Sequence, residues 1–476
     1  MGADISGRVA RVGLVGLLIA GGMFRLVAAE GQDSVQVERE SVWLVDVGLS
    51  VSGVLRMPAG PTAFSGSDEP QRDDGQAAAS GLTVAVTEQP IRAESHLSFC
   101  QRPVGLPVTA EAALHRAVRQ YQQAEARLTV GDTETAVSLA PDARLVAVGG
   151  DNGRLQAWLA KGFLTQAEHD LIVVPFDPLL AAALEPPADA ASGDTWAIHP
   201  GAAAGLLCID AVTAGRLEAT MGEAADDAAG AKVSLVGTIA GAVDGVPTEI
   251  EVNGTYAWSR VAGLATLEVK LRETRQPGHV APGFRVEARL TVNCRPATEA
   301  EPAKPLATVS SVSTRAGGRL RRGPGRPGGR WLVDPHGRFD LIYPDAWHLI
   351  EQGGERVALR LLDRGALIGE VVIRPLPLTD TPLTLEALQR DIERSLAGQF
   401  SHLVAAAESQ RSDGTTILRV ASAGEDAGLP FEWIHYHVSA ANGPRVSLSF
   451  MVESRHLERF AEADRRLTEG LGLPPR

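Results

Sequence analysis

Apolar and polar residues alternate along most of this 476-residue chain, and this two-residue period predicts strands. The stretch VWLVDVGLSVSGVL, within residues 34–56, predicts one such strand. The densest alternation covers residues 231–293, where an Asp244-Gly245 turn and the loop QPGHVAPG separate four runs. These runs predict a four-stranded antiparallel meander, whose apolar face must be covered by helices or by a second sheet.

A helical period is superimposed on this pattern in two places of the first half. From Thr109 to about Leu128, apolar residues recur at three- and four-residue intervals and predict a helix. Thr165 and Glu168 have the spacing of a capping box, which predicts the start of a short helix. Residues 30–295 are therefore interpreted as a β-rich α+β domain.

Residues 331–476 predict a second α+β domain with an antiparallel sheet. Its helices are expected to begin at Thr384 and at Ser454, because apolar residues follow both at helical spacing. Strands are predicted near 338–343, 356–361, 367–373, 402–408, 416–421, 431–439 and 445–452. In the segment FDLIYPDAWHLI, Phe339, Leu341 and Tyr343 are interpreted as the first strand, Pro344-Asp345 as a turn and Trp347 as a packing residue.

Two segments rich in Pro, Gly and charged residues interrupt these domains. Residues 57–81 predict a mobile loop, and residues 296–330 predict a linker. The end of this linker carries six arginines that could contact anionic lipid headgroups: Arg315, Arg319, Arg321, Arg322, Arg326 and Arg330. Its GPGRPG stretch follows no predicted strand and contains two prolines, so it is not interpreted as a dinucleotide-binding motif.

The first residues have the order of a secretory signal peptide. Arg8 and Arg11 precede a thirteen-residue apolar stretch, and small residues follow it up to Ala29. Residues 1–29 are therefore interpreted as a signal peptide cleaved near Ala29. The protein is expected to be exported to the periplasm or the extracellular space.

Charge and cysteine content bear on the expected partners and on the expected disulfides, respectively. The formal net charge of −13 argues against general nucleic-acid binding. Cys100, Cys208 and Cys294 show no CxxC spacing, so three separate thiols are favoured over a disulfide between two of them.

The C-terminal stretches GRFDLIYPDAWHL, LPFEWIHYHV, RVSLSFMVE and FAEADRRL together resemble the PsbP-like α/β/α sandwich over about 140 residues. That resemblance implies a non-catalytic accessory, assembly or carrier-partner role. The whole chain is also similar to a family of exported bacterial proteins without an assigned function, through GDTW, GAVDGVPTEIEVNG and RETRQPGHVAPG. The second resemblance concerns the layout of the chain and implies no activity.

The strand that carries HYH offers the clearest metal-ligand candidates. His435 and His437 share one face with Trp433, and two imidazoles at positions i and i+2 can bind one metal ion. A zinc site needs a third protein ligand, which the spacing does not supply. Structural histidines on an exposed face are therefore favoured, with Ile434 pointing toward the domain core.

Two further residues are weaker candidates. His279 lies in the constrained loop QPGHVAPG, where a turn-stabilising role is favoured over a functional one. Asp464 interrupts the apolar stripe of the last helix, and a buried carboxylate there is expected to pair with an arginine or a backbone amide.

The chain contains no familiar catalytic, phosphate-binding or calcium-binding motif, and no cofactor is expected. The sequence therefore favours an exported, non-catalytic binding or interaction protein with an envelope protein or a small ligand as partner. The alternative is an enzyme with a metal-assisted site near His435 and His437.

Overall fold

The structure is a computed structural model that describes most of the chain from residue 42 onward. The described residues are 42–58, 86–103, 116–151, 154–223, 231–259, 263–297, 315–316, 319–320, 327–379, 382–440 and 443–474. The predicted signal peptide, nearly all of the predicted loop 57–81 and most of the predicted linker lie outside these ranges.

The first unit is built mainly from twelve strands. The strands are β1 (Trp43–Pro58), β2 (Val86–Pro103), β3 (Arg116–Val130), β4 (Thr133–Ser138), β5 (Leu145–Asp151), β6 (Arg154–Leu159), β7 (Thr195–Ala197), β8 (Ala211–Met221), β9 (Ala231–Val243), β10 (Val246–Ser259), β11 (Gly263–Arg275) and β12 (Gly283–Pro296). The helices are α1 (Gln166–Ile172), α2 (Pro200–Leu206) and two 3-10 helices, Pro141–Ala143 and Pro178–Leu184.

These twelve strands form one antiparallel sheet. The order is β6-β5-β3-β2-β1-β12-β11-β10-β9-β8-β7, and β4 pairs with β3. The first strand of the unit therefore lies in the middle of the sheet, where β1 pairs with both β2 and β12. The predicted meander β9 to β12 is present, with the Asp244-Gly245 turn between its first two strands.

The chain leaves the sheet at one edge, after β6, and rejoins it at the other edge with β7. The intervening segment, residues 160–194, covers part of the apolar face of the sheet and includes α1. Leu171, Phe176 and Leu184 from this segment are almost fully buried in the core. The Tyr256 hydroxyl on β10 donates a hydrogen bond of 2.8 Å to the Leu184 carbonyl oxygen. This crossing segment supplies the cover that the apolar face requires.

The second unit has a separate hydrophobic core and two main sheets. Its strands are β15 (Gly329–Val333), β16 (Asp340–Pro344), β17 (Trp347–Gln352), β18 (Val357–Asp363), β19 (Ala366–Leu376), β20 (Phe400–Gln410), β21 (Thr416–Asp426), β22 (Leu429–Ser439), β23 (Arg445–Glu453) and β24 (Leu471–Gly472), preceded by the two-residue strands β13 (Arg315–Ala316) and β14 (Arg319–Leu320). The helices are α3 (Leu385–Leu396), α4 (Leu457–Phe460) and α5 (Ala463–Glu469), with 3-10 turns at Ala397–Gln399 and Ser454–His456. The sheet orders are β17-β18-β19-β23-β22-β21-β20 and β15-β16-β24.

The α+β prediction is wrong, because the protein is mostly antiparallel β-sheet. Strands hold 61% of the described residues and helices 15%. The helix predicted over Thr109–Leu128 is an error of the same kind: its described part belongs to β3. A β-bulge opposite Ser98 and Phe99 leaves Gln122 unpaired and moves the inward-facing positions from Tyr121 to Ala124. This three-residue step imitates a helical period.

Two helices begin where the sequence predicted them, one from a capping box and one from apolar residues at helical spacing. Thr165 and Glu168 form a complete capping box at α1, and the Thr384 hydroxyl accepts a hydrogen bond from the Ala387 amide at the start of α3. The last predicted helix is broken instead: α4 and α5 are separated near Glu462, which has a positive φ of 58°. No helix of the described residues is long and apolar enough to cross a membrane.

The segment FDLIYPDAWHLI lies in the core of the second unit. Trp347 is 2% exposed and packs edge-to-face against Phe450 and Phe460, with ring centroids 6.0 and 6.4 Å apart. The first strand of this sheet is β15 rather than β16, so Gly329 and Arg330 are paired strand residues. Trp347 begins a further strand, β17, that the sequence pattern did not predict.

The two units touch through a pair of tight turns. Asp244-Gly245 and Arg364-Gly365 both have positive φ angles, of 50° and 75° in the first turn and 51° and 76° in the second. A Cβ atom added to Gly245 would lie 2.5 Å from the Cα atom of Gly365. Only glycine fits at this contact without displacing one of the units.

Candidate functional site

The HYH strand is buried on both faces, which corrects the prediction of an exposed histidine face. Ile434 lies in the main core as predicted, with 2% of its surface exposed. Trp433 and His437 point away from that core but are only 7% and 4% exposed. Helix α3 lies against β20 and β21, the two strands beyond β22 in the sheet, and the low exposure of Trp433 and His437 shows that this second face is also covered.

Burial keeps both histidines neutral. The Nδ1 atom of His435 lies 3.1 Å from the Ser449 hydroxyl on β23. Burial lowers the pKa of His435 to about 4, and burial with the nearby Arg445 lowers the pKa of His437 to about 4. Within the described part of the chain, no three His, Cys, Asp or Glu residues are grouped so that they could hold a metal ion.

Asp464 is a paired structural carboxylate. It is 2% exposed, and its Oδ2 atom accepts hydrogen bonds of 2.7 Å from the Tyr436 hydroxyl and 3.0 Å from Nε of Arg419. The charged pair fixes α5 against β21 and β22 and leaves no free carboxylate for chemistry.

His279 lies on an exposed loop at the junction of the units. Its backbone carbonyl oxygen accepts a hydrogen bond from the Arg360 guanidinium. Among the arginines proposed to contact lipid, Arg330 is only 6% exposed and is therefore excluded from that role. The structure describes no side chain of the other five.

A second polar cluster is buried where the two units meet. Arg330 and Tyr343 lie opposite each other on β15 and β16, and their cluster also includes His169 and Asp170 of α1 and His348 of β17. Burial and Arg330 lower the pKa of His169 to about 4 against the opposing effect of Asp170. Burial also lowers the pKa of His348 to about 4. Both histidines are thus neutral beside a buried guanidinium.

A buried ion pair stabilises the core of the first unit. Arg119 on β3 contacts both oxygens of Asp177, at 2.8 and 2.5 Å, and also donates a 2.8 Å hydrogen bond to Gln101. Its guanidinium lies over the ring of Phe99 at 4.6 Å. Burial alone would lower the pKa of Arg119, but the charge of Asp177 reverses that effect and the net pKa is raised. Both side chains are inaccessible, so this pair is part of the core.

A groove on the solvent face of the large sheet is a concave surface with convergent polar groups. It has a volume of about 940 Å³ and crosses β2, β1, β12, β11, β10 and β9. Two cross-strand rows of side chains line it. The first row is Glu94, Ser50, Arg289, Lys270, Asn253 and Val236, and the second is Arg92, Ser52, Glu287, Arg272, Glu251 and Thr238.

Strand glycines allow neighbouring strands to approach closely at this groove. A Cβ atom at Gly237 would lie 2.2 Å from the Arg216 carbonyl oxygen, and one at Gly254 would lie 2.4 Å from the Glu268 carbonyl oxygen. Neighbouring strands therefore approach each other closely at both positions. Each glycine follows a groove residue directly, Val236 in one case and Asn253 in the other.

Three of the four charges of the second row are paired with each other, and among the described residues no ion pair of Arg92 occurs. Arg272 donates hydrogen bonds to Glu251 at 3.0 Å and to Glu287 at 2.9 Å, and the contact with Glu287 leads the rise in its pKa. In the first row, Arg289 pairs with Glu268 at 2.6 Å. These bridges hold the long side chains in a fixed arrangement across three strands, β10, β11 and β12.

The sequence reasoning missed this groove. The relevant signal is the charged residues at outward positions of the meander, such as Glu251, Lys270 and Glu287. Alternation identifies them as outward-facing, but the rows follow from the strand register, which the alternation leaves open.

Comparisons with known proteins find no matching protein family and no matching curated protein. Solved structures with a partial likeness include the cyanobacterial PsbP of Synechocystis, at 13% identity over 31% of this chain and 93% of that chain, with a TM-score of 0.25. A Bacteroides thetaiotaomicron structure has 13% identity over 31% of this chain and 50% of that chain, with a TM-score of 0.23. An immunity protein of a Pseudomonas aeruginosa type VI secretion system has 11% identity over 47% of this chain and 73% of that chain, with a TM-score of 0.21. These scores are too low to support a conclusion about fold or function.

Proposed function

We propose that this chain is an exported, non-catalytic interaction protein that binds a partner protein in the groove on its large sheet. The observation that carries the proposal is the groove of about 940 Å³, lined by convergent charged, amide and hydroxyl side chains from six strands. The second unit is proposed to be a PsbP-like module, on the sequence motifs that resemble that family.

The dimensions and chemistry of the groove favour a macromolecular partner over a small ligand. Six neighbouring strands extend over about 24 Å, since strands in a sheet are about 4.8 Å apart. Small-molecule sites are mostly apolar and enclosed, whereas this groove is open and its side chains are mainly polar. An open polar surface of this breadth suits one part of a protein interface, which covers about 800 Å² per partner.

The paired charges also favour binding over catalysis. Arg272, Glu251 and Glu287 pair with one another, and such ion pairs fix the side-chain positions and engage these two carboxylates. Because these side chains are already held in place, their solvent-facing polar atoms can form specific hydrogen bonds with a partner at little cost in conformational entropy.

Site-specific photo-crosslinking tests this proposal. A photoreactive residue at Asn253 places the probe in the groove, and one at Glu249 places it on the same strand and face outside the lining. With envelope extract from the native organism, the Asn253 probe is expected to give one dominant protein adduct that excess unlabelled protein abolishes. Equal adducts from both positions, or none from Asn253, would refute the proposed interface.

A further inference from the structure

Lys270, near the centre of the groove, has no ion-pair partner among the described residues, and the same holds for Arg92 at the edge of the groove on β2. Lys270 lies directly opposite Arg289 on β12 and Asn253 on β10, so its nearest neighbours in the row are a like charge and a neutral amide. Like charges in directly opposed positions of a sheet are destabilising. The arrangement therefore leaves positive charge concentrated at the centre of the groove.

The nearby carboxylates do not relieve this charge. Glu268 is paired with Arg289 at 2.6 Å, and Glu251 and Glu287 are both paired with Arg272. Within the described residues, no carboxylate lies within ion-pair distance of Lys270, whose side chain is exposed. The centre of the groove can therefore accept a carboxylate from outside.

An apolar position completes the same row. Val236, next to Asn253 in the row, is 43% exposed and is one of the few large apolar side chains on the described surface with this much exposure. Three strand spacings separate Arg289 from Val236, which is about 14 Å. From Arg289 to Val236, the row thus presents two cations, an amide and an apolar side chain in that order, and Ser50 and Glu94 continue it beyond Arg289.

We propose that the groove binds an acidic segment of the partner protein, with a carboxylate side chain against Lys270 and Arg289 and an apolar side chain against Val236. This inference rests on the proposed function and specifies the chemistry of the partner. A nucleic acid or polyphosphate fits poorly, because the chain carries a net charge of −13 and repels polyanions at long range. A segment of mixed acidic and apolar residues carries less charge than a polyanion and can pair locally with Lys270.

Peptide binding with a charge-reversal pair tests the inference. The probes are a fluorescently labelled peptide with glutamates flanking leucines and the same peptide with glutamines, followed by anisotropy with the full chain. Lys270→Glu is expected to lower the affinity for the glutamate peptide about tenfold, equivalent to about 1.4 kcal/mol of binding free energy. The substitution replaces an attraction between opposite charges with a repulsion between like charges. Lys232→Glu, an equally exposed change on the same face outside the groove lining, is the matched control and should change affinity less than about twofold.

Lys270→Arg keeps the charge and should retain binding, which separates charge from folding effects. Equal losses in Lys270→Glu and Lys232→Glu, or equal affinity for the glutamine peptide, would overturn the acidic-segment assignment. So would tighter binding of a polyphosphate that Lys270→Glu abolishes. If the Asn253 crosslink persists unchanged in the Lys270→Glu variant, the acidic preference fails while the proposed interface stands.

Discussion

The paired turns at the junction of the two units give the sharpest test of the structure. Gly245→Ala places a methyl group 2.5 Å from the Cα atom of Gly365, whereas an ordinary contact needs 3.4 Å or more. One turn must therefore move by about 1 Å, and overpacking of this kind typically costs about 1–3 kcal/mol. The positive φ of 75° at Gly245 adds about 1 kcal/mol for any residue with a Cβ atom.

Gly428 provides the matched control. It follows Ala427 in a turn of the second unit with φ angles of 49° and 80°, and a Cβ atom there would meet nothing within 4 Å. Gly428→Ala should therefore cost only the conformational part, about 1 kcal/mol, while Gly245→Ala should cost about 2–4 kcal/mol. Gly365→Ala should match Gly245→Ala, because the contact is reciprocal at 2.4 Å.

Urea unfolding of the three variants measures these free energies directly. Costs for Gly245→Ala and Gly428→Ala that agree within about 0.5 kcal/mol would refute the turn-to-turn contact, since additivity in such comparisons holds to about that limit.

Three more outcomes are expected. Burial holds the pKa of both His169 and His348 near 4, below the value of about 6.5 in an unfolded chain, so protons bind preferentially to the unfolded state. The free energy of unfolding should therefore fall from pH 6.5 toward pH 4, by at most about 1.4 kcal/mol per pH unit for each histidine. In the His348→Gln variant, the urea-unfolding free energy should depend less steeply on pH. Arg119→Met leaves Asp177 buried and unpaired and should cost about 3–5 kcal/mol, whereas adding Asp177→Leu should restore much of the loss; equal instability of the double variant would contradict the pairing. His437→Ala empties a buried site and should lower the melting temperature, with a loss of about 1–3 kcal/mol; an unchanged melting temperature would mean that the imidazole is exposed.

Local patterns predicted those elements whose signal is carried by neighbouring residues. The meander of the first unit and the helix starts at Thr165 and Thr384 depend on alternation, turn residues, a capping box and helical spacing within a few positions. Physical rules for these features act over short stretches of chain, so a sequence displays them directly.

Features that depend on strand register, or on burial by residues distant in the sequence, could not be predicted from local sequence patterns. The bulge at Gln122 belongs to the pairing of β3 with β2, and without that pairing the spacing of Tyr121 and Ala124 is helical. Likewise, His437 occupies a polar-looking strand position, and its burial depends on packing by residues that lie far from it in the sequence. The groove depends on strand register, because its two rows of side chains exist only after six strands are aligned.

Because β1 lies in the middle of the large sheet, the ribosome synthesises one of its two partner strands, β12, long after β1 itself. Thr291 on β12 donates a hydrogen bond to the carbonyl oxygen of Gly48, 243 residues earlier in the chain. At about 5–20 residues per second, a ribosome needs roughly 10–50 s to bring the second of these residues out after the first. Until then one side of β1 has no partner strand, and the amides and carbonyls along it are open to pairing with other chains. A truncated chain that ends before β12 would therefore present a bare strand edge at the centre of its sheet, where a complete chain presents none.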